Sequence, residues 1–255
     1  MKLGLALAFL VTAALYASAG FGGGSTYTAL LAVSGAPFYT IPVVSLLCNI
    51  CVVAGNCLRY FNKRIIAFKD IWPFLILSIP AAFLGGRLNV PEVIFIGLLC
   101  LALGAAGIRM LFAQQHSYSA AGAFRGHALR SSLIGGAIGF YSGIVGIGGG
   151  IFLAPILYKF RWGRAHEIAA LCSVFILMNS LAGLSGQIIK INQLDLVSEV
   201  MPYAPLILAV FIGGTVGNVL SLKFLNANTL RRITGLLILI VAARLLLKWI
   251  GLMEA

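Results

Sequence analysis

Apolar runs follow one another along this chain with only short polar breaks, and several match the roughly 20 residues of helix needed to cross about 30 Å of hydrocarbon. They lie near residues 3–19, 25–34, 39–60, 71–87, 91–112, 131–145, 150–159, 166–189, 202–222 and 229–250. Inside a bilayer every backbone N–H and C=O needs a partner within the protein, which restricts segments of this kind to helices. Only 9% of the 255 residues are charged, against about 25% in soluble domains, so no stretch is left over for a soluble domain. The expected fold class is an all-α integral membrane protein.

Six of the runs (39–60, 71–87, 91–112, 166–189, 202–222 and 229–250) can cross alone. The other four flank two glycine clusters, and 25–34 and 150–159 reach only about halfway at about 1.5 Å per residue. They read as arms of broken helices or hairpins. The clusters themselves form a repeat: Gly20-Phe21-Gly22-Gly23-Gly24 returns as Gly146-Ile147-Gly148-Gly149-Gly150. Each precedes a helix carrying Ser and Cys (Ser45, Cys48 and Asn49, then Cys172, Ser173 and Asn179). A glycine-rich helix end follows (Gly85-Gly86-Arg87, then Gly217-Asn218), and each copy closes with a helix bearing Arg109 or Arg244.

The expected organisation is a first repeat at 1–112 (hairpin 1–35, helices 39–60, 71–87 and 91–112), a cytoplasmic linker at 113–130, and a second repeat at 131–250 (hairpin 131–159, helices 166–189, 202–222 and 229–250). Lys2, the first apolar run and Ala17-Ser18-Ala19 also imitate a secretory signal with its cleavage site. Cleavage there would remove the first arm of one copy, so the repeat favours a retained helix.

Charge orients the halves. Basic residues collect in four loops: Arg59, Lys63, Arg64 and Lys69; Arg125 and Arg130; Lys159, Arg161 and Arg164; Lys223, Arg231 and Arg232. The breaks near 35–40, 88–92 and 190–200 carry few or none, and the last holds Asp195 and Glu199. If cytoplasmic loops hold the excess Lys and Arg, the segment 131–158 enters and leaves from the cytoplasm. By analogy the first hairpin starts and ends outside. With three crossings after each hairpin, the two halves acquire opposite orientation, the inverted repeat common among secondary transporters. The net charge of +12 then follows from orientation and anionic headgroups, and nucleic-acid binding is not needed.

Glycine lets backbone turn sharply inside the membrane, permits close approach of a second chain and bares N–H groups. A helix begins after each cluster, so its amides and positive dipole end point at the turn, where an anion is stabilised. Nucleotide readings fail on context: no Lys-Ser/Thr follows the glycines, and no soluble strand–helix unit with a downstream acid surrounds them. Pairs such as Gly135-Gly136 and Gly213-Gly214 read as close helix packing.

The stretch Gly143-Ile144-Val145-Gly146-Ile147-Gly148-Gly149-Gly150, with Pro155 after it, resembles the signature of the TauE/SafE sulfite-exporter family of membrane permeases. The resemblance covers nearly the whole chain through size, two halves and the repeated motif. It implies transport, usually outward, of small sulfur oxyanions or organosulfonates such as sulfite, thiosulfate or sulfoacetate. The first copy departs from it, with Phe21 in place of a small aliphatic residue, Ala17 where the second copy has Gly143, and no proline matching Pro155.

An anion that must also be released wants several donors without a fixed full charge. The substrate-binding candidates are therefore Gly22, Gly23, Gly24, Ser25, Thr26, Ser45, Asn49, Gly148, Gly149, Gly150, Ser173 and Asn179. Cys48, Cys172, Arg87, Gln187, Tyr16 and Tyr141 form a second tier. Asn49 and Asn179 stand deep in apolar helices, where an unpaired amide costs about 1–3 kcal/mol. Arg59, Arg109 and Arg244 lie near helix ends and read as snorkelling side chains. The cysteine spacings match no disulfide framework or zinc site.

No cofactor or metal is expected. The implied partners are a small anionic substrate, the bilayer of the inner (cytoplasmic) membrane, and, as alternatives, protons or another coupling ion. Asp70, Glu92, Asp195, Glu199 and Glu254 fall in loops or at the terminus, so no carboxylate sits at the membrane centre. His166 and Glu167 adjoin the second hairpin, where a proton relay competes with plain helix capping. An enzyme would need an assembled nucleophile, base or metal set, and the only histidines are His116, His127 and His166. An anion channel, or a carrier for another small organic anion, stands as the alternative.

Overall fold

A computed structural model describes residues 3–112, 127–190, 198–220 and 227–253. His116, Arg125, Asp195, Lys223 and Glu254, and most of the linker, lie outside these described residues, as do the side chains of Arg231 and Arg232. Among the described residues ten α-helices follow in order: α1 Leu3–Ala19, α2 Gly24–Val33, α3 Thr40–Asn62, α4 Phe68–Arg87, α5 Glu92–Phe112, α6 Ala128–Val145, α7 Gly150–Lys159, α8 Ala165–Lys190, α9 Ala204–Leu220 and α10 Ala227–Met253. A 3-10 turn, Met201–Tyr203, leads into α9, and there is no strand among the described residues.

Six helical segments among the described residues are long and apolar enough to cross a membrane: Thr40–Asn62, Phe68–Arg87, Glu92–Arg109, Ala128–Val145, His166–Lys190 and Ser198–Val219. The fourth differs from expectation, since α6 is 18 residues long and can cross unaided. Its partner α7 has 10 residues. Each hairpin therefore pairs a long arm with a short one, about 26 and 15 Å at 1.5 Å per residue.

The helix ends follow local rules. Four helices stop on a left-handed residue with the overlapping bonds of a Schellman cap: α1 at Gly20, α2 at Gly35, α3 at Arg64 and α7 at Arg161. At α3 the Ile65 N–H donates to the Tyr60 carbonyl and the Arg64 N–H to Phe61; at α7 the Trp162 N–H donates to Leu157 and the Arg161 N–H to Tyr158. Both left-handed arginines lie in basic loops.

Helices α3 and α8 form the most buried pair and pack on each other at the centre. Around them α4 packs against α6 and α8, α9 against α1 and α3, and α5 against α10. These contacts interleave the first five helices with the last five. Glycines set the close approaches. Gly135, Gly139 and Gly143, spaced every four residues along α6, lie against the backbone of Phe74, Ser78 and Ala82 in α4. On α9, Gly213 and Gly217 lie against Leu10 and Ala14 of α1. Added Cβ atoms would meet backbone that cannot rotate away, which is the small-residue packing of membrane helices; Gly136 and Gly214 are less tightly placed. Outward-facing Leu101, Leu208, Val219 and Leu247 remain exposed, as a lipid-facing surface requires.

Candidate anion site at the two glycine turns

Local chemistry builds the same turn twice. The first long arm ends at Gly20, whose φ of 81° is left-handed, and α2 starts after Gly23 at φ 85°. In the second hairpin Gly146 (φ 80°) caps α6 and Gly149 (φ 81°) precedes α7, with Gly148 also left-handed at 81°. An L-residue there would cost roughly 1–2 kcal/mol. No side chain caps α2 or α7, and each helix takes its first backbone bonds on the carbonyl of its capping glycine. The amides ahead of those bonds, of Gly24 and Ser25 in α2 and of Gly150 and Ile151 in α7, therefore have no intrahelical acceptor.

The two turns touch. A Cβ on Gly24 would collide with the Ile147 carbonyl and with the Asn49 amide, a Cβ on Gly22 with Asn49 Oδ1, and a Cβ on Gly148 with Asn49 Nδ2 and Ser180 Oγ. Asn49 is fully buried at this junction. Its Nδ2 donates to the Ile147 carbonyl at 3.1 Å, across the two halves of the chain. Swapping the amide would face oxygen against oxygen, so this bond fixes its orientation. Its Oδ1 has no protein partner among the described residues.

Other donors hold two carbonyls of the first turn. Ser45 Oγ donates to Gly24 O at 3.1 Å, and Ser173 Oγ, from the opposite half, donates to Gly20 O. Thr26 Oγ1 pairs with the Tyr16 hydroxyl at 3.0 Å. Side-chain donors thus hold the Gly20 and Gly24 carbonyls of the first turn and the Ile147 carbonyl of the second.

The structure separates the sequence candidates. Gly22, Gly24, Asn49 and Gly148 meet at one point, with Ser45, Ser173, Gly23, Gly149, Gly150, Ser25, Thr26 and Tyr16 in the surrounding turns. Asn179 folds back on its own helix, where Nδ2 donates to Phe175 O at 2.9 Å. Ser180, which the sequence reading passed over, takes its place beside Gly148. The signal was present: Ser173, Ile176 and Ser180 fall at helical spacing, and all three reach the glycine turns. Gln187 holds the Gly143 carbonyl at 3.2 Å, and Tyr141 donates to Leu98 O and packs edge-on to Phe152. Both brace the second hairpin. Arg87 is exposed at the end of α4, away from the junction. Cys48 and Cys172 are buried in separate apolar clusters.

Outside the junction, a shallow surface cleft lies among Phe38, Tyr39, Pro42, Leu88, Val90, Phe95, Ile144 and Lys190. It ends on the second turn, because Pro42 fills the position a Cβ on Gly146 would take. Lys190 is the one cation in its lining. Glu167 caps α8, accepting the Arg164 backbone N–H at 2.7 Å. No three His, Cys, Asp or Glu side chains gather as a metal site among the described residues.

The family described as sulfite exporter TauE/SafE matches residues 5–245. A curated relative, the "Probable membrane transporter protein y4hK" of Sinorhizobium fredii (strain NBRC 101917 / NGR234), is 36% identical over 246 residues, covering 96% of this chain and 98% of its own length. No solved structure gives a significant match. Paired glycine turns buried between apolar helices, and a family match that runs through both, make this chain a member of the sulfite exporter TauE/SafE family of membrane transporters.

Proposed function

We propose that the protein is a secondary carrier that moves small sulfur oxyanions or organosulfonates outward across the cytoplasmic membrane, by alternating access around the two glycine turns. The contact of the turns at Asn49 carries this reading. Two uncapped helix N-termini converge on one buried point, and backbone amides with positive dipole ends favour an anion there without a fixed charge. Asn49 Oδ1 is left to accept a bond from a ligand hydroxyl, ammonium or water.

The inverted repeat is part of the proposal. It is supported by the matching order of long arm, glycine turn and short arm, and by the exchanged packing of α4 on α6 and α9 on α1. A membrane potential supplies about 2.3 kcal/mol per charge per 100 mV for moving an anion out. With the turns in contact, passage requires the hairpins to part, as a carrier demands.

The test is thermal stability of the purified protein, under anaerobic conditions, against sulfite, thiosulfate, sulfoacetate, taurine, sulfate and chloride. A ligand at 100 times its dissociation constant stabilises by about 2.7 kcal/mol. Stabilisation by a sulfur oxyanion followed by saturable flux in vesicles supports the carrier. Flux that rises linearly with concentration identifies a channel, and no response to any anion overturns the site.

A further inference from the structure

We infer that Asn56 on α3 is a second, transient anion position, on the path between the glycine turns and the basic face of the membrane; this rests on the proposed carrier function. Asn56 is fully buried, yet neither its Nδ2 nor its Oδ1 has a hydrogen-bond partner among the described residues. An amide in that state destabilises the fold, and natural structures seldom retain one without a reason.

Its position supplies the reason. Seven residues separate it from Asn49, two turns of helix, so the two amides share one face of α3 about 10 Å apart along the axis. One turn further stand Arg59 and Tyr60. Arg59 donates to the Asn218 carbonyl at 3.3 Å and lies over the Tyr60 ring at 5.3 Å. The Tyr60 hydroxyl reaches back to the first glycine turn at Gly20. Asn218 also stands against Gly55, next in the chain to Asn56, and its own Oδ1 is unpartnered.

Asn49, Asn56 and Tyr60 therefore space uncharged hydrogen-bonding groups along α3 from the junction toward the cation at Arg59 and the basic loop of Lys63 and Arg64. The cleft at Lys190 approaches the turns among the residues flanking the weakly charged breaks near 35–40 and 88–92. The two features form the two ends of one route, and the free Nδ2 of Asn56 is the donor that an anion meets between the cation and the turns. The ligand class is the small sulfur oxyanion of the main site, bound by amide N–H rather than by a fixed opposite charge.

The experiment is Asn56→Leu, assayed for melting temperature and for sulfite and thiosulfate flux in vesicles beside the wild type. Leucine has a similar size and removes two unsatisfied polar atoms, so the variant melts at or above the wild-type temperature. Should it be too large, Asn56→Val carries the same test. Flux falls at least about tenfold, the loss expected when a buried donor to a charged group is removed, while the stabilisation by saturating anion is retained. Unchanged flux overturns the inference and leaves the carrier reading standing, and a lower melting temperature with normal flux per folded molecule does the same by showing Asn56 to be structural. Absence of anion stabilisation and flux in the wild type overturns the carrier reading itself, and this inference with it.

Discussion

Gly24→Ala adds one methyl group at the point where the two turns touch. Gly24 has no left-handed φ, so the substitution carries no backbone strain and isolates the contact. The new Cβ would overlap the Ile147 carbonyl and the Asn49 amide, and the carbonyl, being backbone, cannot swing aside. The turns must separate, which breaks the Asn49–Ile147 bond and leaves buried polar groups unpaired at about 1–3 kcal/mol. Overpacking adds about 1–3 kcal/mol. The expected destabilisation is about 2–6 kcal/mol, or a fall of roughly 4–24 °C in melting temperature at roughly 2–4 °C per kcal/mol for a chain of this size. Thermal unfolding of the purified protein in detergent measures it. Gly104→Ala in α5 is the control, because nothing lies within 4 Å of its added Cβ, and it should melt at or slightly above the wild-type temperature. A Gly24→Ala protein melting within about 2 °C of the wild type, by the same conversion, would refute contact between the turns.

Gly23→Leu and Gly149→Leu should each abolish transport while the protein still inserts, because both positions are left-handed and crowded; normal flux in either would remove that turn from the site. Single cysteines at His127 and Arg161, both exposed at the ends of the second hairpin, should resist a membrane-impermeant thiol reagent added to intact cells. Labelling of either site from outside would reverse the proposed orientation. Glu167→Ala should destabilise by about 1 kcal/mol through loss of the cap on α8 and leave the pH profile of flux unchanged, whereas an altered profile would assign Glu167 to proton coupling.

Much of the fold was legible because lipid imposes a simple rule: apolar length marks a helix, and a glycine cluster within it marks a break. Gly20, Gly23, Gly146 and Gly149 occupy left-handed positions, whereas Ser45 and Ser173, expected to donate to an anion, donate to the Gly24 and Gly20 carbonyls of the first turn. Single-residue choices were less legible. Asn49 and Asn179 look alike in sequence, both amides deep in apolar helices after a glycine cluster. One bridges the two halves, while the other bonds its own helix and yields its place to Ser180.

Composition, run length and the glycine repeat were enough to specify a membrane bundle with two broken helices, since backbone in hydrocarbon must satisfy its own hydrogen bonds and only glycine adopts the left-handed turns without strain. Charge along the chain bears on orientation for an equally local reason, the preference of Lys and Arg for the cytoplasmic face. Which side chains meet at the turns depends on the packing of α3 and α8 against hairpins from the opposite half. That register is set by close backbone contacts such as Gly24 on Ile147 and Gly139 on Ser78, between residues far apart in the chain, and no local pattern encodes it.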